Sequence, residues 1–125
     1  LEILDCGNNR FTGALTDANL PNSLTMASFA HNELTRVDDL HAPLLTWLDL
    51  SHNNLSQTLP RFQTPKLEQL DISRNAFSGS LFTTLARPRF PDSLIVLKAS
   101  HNRLDDVQEN DLELLRTNLR MFDIS

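Results

Sequence analysis

One phrase recurs along the chain and constrains its fold more than any other feature. It reads Leu-x-x-Leu-x-Leu-x-x-Asn-x-Leu, with close substitutes, and opens at Leu1, Leu24, Leu45, Leu67 and Leu94. A sixth copy opens at Leu119 and runs to Ser125, and successive openings lie 23, 21, 22, 27 and 25 residues apart. Self-similarity at such a period signals an array of stacked units, each too small to bury an apolar face alone.

The phrase has a direct physical reading. In an extended segment successive side chains turn to opposite faces, so Leu-x-Leu sends every second residue inward. Strands are expected near residues 2–6, 25–29, 46–50, 68–72, 95–99 and 120–124, paired in parallel as each copy stacks on the last. Leu4, Ala27, Leu48, Leu70, Leu97 and Phe122 then form one buried row. In the third copy Leu48 and Leu50 point inward, while Trp47, Asp49 and Ser51 point outward. The asparagines Asn9, Asn32, Asn53, Asn75 and Asn102 fall where the strand ends and the chain turns. There an amide can satisfy backbone groups that have left the ladder, so these five are expected to form a structural asparagine ladder.

The segments after the asparagines fall into two groups. Arg10-Phe11-Thr12-Gly13-Ala14-Leu15 and Ala76-Phe77-Ser78-Gly79-Ser80-Leu81 share one spelling, and Asn54-Leu55-Ser56-Gln57-Thr58-Leu59-Pro60 follows it with Gln57 in place of glycine. The second and fifth copies, Glu33-Leu34-Thr35-Arg36-Val37 and Arg103-Leu104-Asp105-Asp106-Val107, lack it. The repeated phrase resembles the leucine-rich repeat family along essentially the whole chain. The first group resembles the Leu-Ser-Gly-x-Leu/Ile-Pro phrase of plant receptor-type repeats and of some protist surface antigens. That resemblance implies an α/β solenoid: an arc with a parallel β-sheet on its concave face and mostly loops and short turns on its convex face. Pro21, Pro43, Pro65 and Pro91 precede the strand-opening leucines and stop any convex helix from running into the strand. Only 111–119 has a helical pattern, through Leu112, Leu115 and Leu119. Residues 1–125 are read as one array of five complete copies and a truncated sixth. Terminal caps are absent, so the expectation is a fragment of a longer protein.

Function has to be sought on the face that the strands present. Two residues after each opening leucine stand Ile3, Met26, Trp47, Gln69, Val96 and Met121. Five of these six are apolar where the core makes no demand. Mutual cover between neighbouring strands is one explanation. A strip for a partner is the other, with Trp47, the single tryptophan, as its anchor. Beside it run Asp5, Ser28, Asp49, Asp71, Lys98 and Asp123. The expected ligand-binding residues are therefore Met26, Trp47, Asp49, Gln69, Asp71 and Val96. On outward strand positions six acids (Glu2, Asp5, Asp49, Glu68, Asp71, Asp123) face three bases (Arg74, Lys98, Arg120), which leaves −3, and the chain carries −5. Nucleic acid is excluded, since its recognition needs a basic stripe, and so is a bare anionic membrane. Membrane attachment would require an anchor outside this segment.

Other chemistry is weakly supported. His31, His52 and His101 share one register, but a metal site needs three or four ligands in fixed geometry, and none is expected. Asp49, Ser51 and His52 sit too close along one strand to place an imidazole between acid and nucleophile. With three glycines in the chain there is no phosphate loop. No catalytic residue, enzyme activity or cofactor is expected within the segment. Cys6 reads as a small buried thiol without a partner. Asn54-Leu55-Ser56 is a glycosylation triplet at an outward position, which favours the secretory route.

Three functions compete. A cell-surface or secreted receptor-like module, a glycoprotein active in signalling, would bind a protein, peptide or glycan on its concave sheet. An intracellular, cytoplasmic scaffold would use the same face. A passive spacer in a surface coat would bind nothing with it.

Overall fold

The computed structural model describes residues 2–16, 20–79, 91, 93–104 and 121–123. Six short strands, β1 (Ile3–Asp5), β3 (Met26–Ser28), β6 (Trp47–Asp49), β8 (Gln69–Asp71), β10 (Val96–Lys98) and β12 (Met121–Asp123), form one sheet in that order. Every neighbouring pair is parallel and in register, so Leu4, Ala27, Leu48, Leu70, Leu97 and Phe122 are successive partners across it. Each strand lies inside the segment anticipated from the repeat and is shorter by one residue at either end. Ala27, Leu48, Leu70 and Leu97 are buried, and Leu4 on the edge strand is only partly covered. The side chain of Phe122 lies outside the described residues.

Behind the sheet, inward residues among those described make one continuous core, including Leu24, Leu45, Leu67 and Leu94 at the openings and Leu50 and Ile72 past the strands. Cys6 occupies the same register but is only half-buried, because it stands in the end turn. The repeat position suggested an enclosed thiol; here it is partly covered and packs against the core. Ile124, the sixth member of that register, lies outside the described residues. The pre-strand prolines sit in tight turns: the amides of Leu24 and Leu94 donate to Pro21 and Pro91 carbonyls (3.1 and 3.3 Å), and that of Leu67 reaches over Pro65 to Thr64 (2.9 Å).

The flank departs from expectation. Among the described residues there is no helix, so the helical half of the α/β description has no support there. The stretch 111–119 lies outside them. Much of the flank is extended and paired instead. β2 (Thr12–Leu15) pairs with β4 (Glu33–Val37), β5 (Leu40–His41) with β7 (Phe62–Gln63), and β9 (Ser78–Gly79) with β11 (Arg103–Leu104), all parallel. A Thr58↔Ser78 bridge links the third and fourth turns. In two of the three pairs the Phe-Thr-Gly and Phe-Ser-Gly phrases contribute: Gly13 and Gly79 take φ of 86° and 79°, which lets the chain kink yet stay paired, whereas β5 and β7 pair without a glycine. Gln57 stands at the same place without a glycine's freedom. Its side-chain amide substitutes for a strand, accepting from Val37 N–H (2.8 Å) and donating to Val37 C=O (2.7 Å).

Candidate functional site

The asparagine positions are the most regular device in the molecule. Asn53 Nδ2 donates to the carbonyls of Phe29, Leu50 and Ser51 (3.0–3.2 Å), and its Oδ1 accepts from Leu34 N–H (3.0 Å). Asn32, Asn75 and Asn102 repeat this set, with Oδ1 accepting from Phe11, Leu55 and Phe77 amides at 3.1 Å. Each side chain thus ties its own turn to the one before it. Among the described residues Asn9 makes only the local donations to Cys6 and Gly7.

The residue before each asparagine is left-handed: Asn8, His31, His52, Arg74 and His101 have φ of 54–58°. Such a backbone disfavours most side chains and is best tolerated by residues such as asparagine and histidine. The repeated bend stacks these side chains in a row. The His31 and His52 rings lie 4.0 Å apart, inclined by 17°. Burial first, then His31 and Arg74, hold the His52 pKa below its ordinary value, against the opposing pull of Asp71 and Asp49. Among the described residues no group of three or more His, Cys, Asp or Glu side chains is placed to hold a metal ion.

On the open face the two expected columns are real neighbours. Ile3, Met26, Trp47, Gln69, Val96 and Met121 pair across the sheet, as do Asp5, Ser28, Asp49, Asp71, Lys98 and Asp123. Ile3, Met26 and Met121 are 61%, 39% and 46% exposed, whereas Trp47 and Val96 are half-covered and Gln69 is exposed. A hollow of about 140 Å³ opens on this face, lined by Trp47, Asp49, Gln69, Leu70, Asp71, Val96 and Lys98. Of the six residues singled out from sequence, it brings together five, and Met26 stands beside it as Trp47's partner on β3.

The acidic column has structural work that the spelling did not reveal. Oδ1 of Asp49 accepts from both the amide (2.9 Å) and hydroxyl (2.6 Å) of Ser51. Asp71 does the same with Ser73, at 2.9 and 2.5 Å, and Asp5 accepts from Gly7 N–H at 3.0 Å. Strand alternation put Ser51 on the outward face; in fact it is buried, because its hydroxyl folds down onto Asp49. Lys98, counted from sequence as one of three outward bases, forms one wall of the hollow. Asn54 is exposed beside the ladder, followed by fully buried Leu55.

Comparison with known proteins agrees with this geometry. The family model described as Leucine Rich Repeat matches residues 44–63 and 66–87. Among solved structures, the plant peptide hormone receptor RGFR1 in complex with RGF2 superimposes with a TM-score of 0.62 at 26% identity. The match covers 99% of this chain and 24% of that receptor chain, so the present chain spans about a quarter of its length. No curated protein matches.

Proposed function

We propose that this chain, which belongs to the leucine-rich repeat family, is a recognition module that binds a protein or peptide partner on the open face of its six-stranded sheet. The observation that carries this reading is the hollow at Trp47, Asp49, Gln69, Asp71 and Val96. It sits midway along a column in which five of six residues are apolar although the core does not need them. The likeness to a peptide hormone receptor supports a peptide or protein as the partner class. We extend the reading to a receptor-like role on the extracellular side of a membrane, which the same likeness and the Asn54-Leu55-Ser56 triplet support.

The bland alternative is mutual cover, because Trp47 and Val96 are partly shielded by their strand neighbours. Cover alone does not account for exposed Ile3, Met26 and Met121 in the same column. Peptides selected from a displayed random library against the folded chain decide between the two. Trp47→Ala is expected to weaken the selected peptides by about 2 kcal/mol or more, as for a buried aromatic anchor. Peptides that bind the Trp47→Ala chain undiminished would locate recognition elsewhere.

A further inference from the structure

Resting on that reading of the face, we propose that the hollow beside Trp47 receives the guanidinium of an arginine carried by the partner. Its size sets the first limit. About 140 Å³ is room for one side chain rather than for a small-molecule ligand, whose pockets run to roughly 300 Å³ and above.

The walls set the chemistry. Asp49 and Asp71 are direct partners on adjacent strands, roughly 4.8 Å apart, so their carboxylates stand side by side. Ser51 and Ser73 fix one oxygen of each, while Oδ2 of both has no protein partner among the described residues. The carboxylates are thus held in place before anything binds, so binding does not have to order them. A planar fork of donors can address oxygens on both strands at once and still lay its face on an indole. Guanidinium has that shape, while a lysine ammonium is a strongly hydrated point charge. Gln69 and Val96 complete the walls beside the aliphatic stem.

Lys98 fixes where the cation sits. It lines the same hollow and pairs in register with Asp71, though no salt bridge joins them among the described residues. It competes electrostatically for Asp71. Asp49 has Ser28 on one side and Asp71 on the other, with no cation adjoining it in the column. The guanidinium therefore belongs over Asp49 and Trp47, with Asp71 contributing a second, weaker contact.

Trp47 is the only tryptophan, so its emission reports on this hollow alone. The probes are Nα-acetyl-arginine methylamide and its neutral isostere, the citrulline analogue, titrated into the full chain. The arginine probe is expected to give a saturable change in emission, and the citrulline probe a response about tenfold weaker or more, since its urea has lost the charge and carries an accepting oxygen where guanidinium has a donor nitrogen. Asp49→Asn is expected to lower the arginine response by about tenfold, and Lys98→Ala to strengthen it a few-fold, both with an unchanged circular dichroism spectrum. Equal responses to the two probes, or no saturable response to arginine, overturn the proposal. Selected library peptides separate its fate from that of the wider reading. If they depend on Trp47 but tolerate arginine-to-citrulline replacement, the arginine site is wrong and the recognition face stands. If they ignore Trp47, both are wrong.

Discussion

Replacing Asn53 by alanine tests the device that joins one turn to the next. The wild-type side chain makes three donations and one acceptance, but the four bonds are not equivalent. Phe29 C=O still accepts from Asn32 Nδ2 (3.0 Å) and Leu50 C=O from Asn75 Nδ2 (2.9 Å). Ser51 C=O still accepts from His31 N–H (3.0 Å). Only Leu34 N–H, whose acceptor is Asn53 Oδ1, is left alone, and Leu34 is buried. An orphaned buried donor costs about 1–3 kcal/mol, while the doubly satisfied carbonyls lose little. Asn53→Ala should therefore destabilise by about 2 kcal/mol. With a urea slope of about 2 kcal/mol/M, the midpoint falls by about 1 M. Hydrogen exchange by NMR adds a local readout, because protection should drop at the Leu34 amide beyond the global loss. Asn9→Ala supplies the contrast: Asn9 is exposed and its bonds among the described residues are local, so the cost should stay within about 0.5 kcal/mol. A loss at Asn53 of only a few tenths, or a Leu34 amide that keeps its protection, would refute the reasoning.

Three further outcomes follow from single groups. Gln57→Ala removes both partners of Val37's buried backbone pair and should cost about 1–3 kcal/mol in urea melts; Gln57→Glu should not restore it, since a carboxylate cannot donate to Val37 C=O. Thr64 Oγ1 is buried without a hydrogen-bond partner among the described residues, so Thr64→Val should be neutral or raise stability by about 1 kcal/mol, read as an upward midpoint shift. His52 has a lowered pKa in the folded state, so the unfolded chain binds its proton more readily. Its contribution to stability is complete above the ordinary value of 6.5 and is lost as pH falls through the folded value. His52→Gln should flatten the decline in urea midpoint on acidification below about 6.5, and an unchanged slope would contradict that assignment.

The period of the repeat was enough to place every strand of the main sheet, because alternation and leucine spacing leave a single register with the core filled. It also indicated where the outward columns run, since in-register stacking makes equal repeat positions neighbours. What alternation missed lies where side chains replace backbone. Ser51 looks outward by parity and is buried through a bond to Asp49. Gln57 looks like a lost glycine and serves as a strand by its amide. The flanking strands were hidden because their apolar spacing is irregular and two of the three pairs include a glycine at positive φ, which reads equally well as a loop. Lys98 read as one of three outward bases, and only the assembled sheet shows it walling the hollow with Trp47. The left-handed row had a visible signal in retrospect: Asn, His, His, Arg and His stand before the asparagines, and asparagine and histidine accept that conformation best.

The central claim is that the open sheet face around Trp47 is where a partner is held. Amide chemical-shift mapping of the folded chain with a bound library-selected peptide tests it most directly. The account predicts the largest shifts at Met26, Trp47, Gln69 and Val96 and at the Trp47 indole N–H, with Trp47→Ala weakening the peptide while changing the urea midpoint by no more than about 1 kcal/mol equivalent. Shifts gathered instead on the flank around β5 and β7 or at the end turn near Phe11, with the Trp47 signals unmoved, would contradict it.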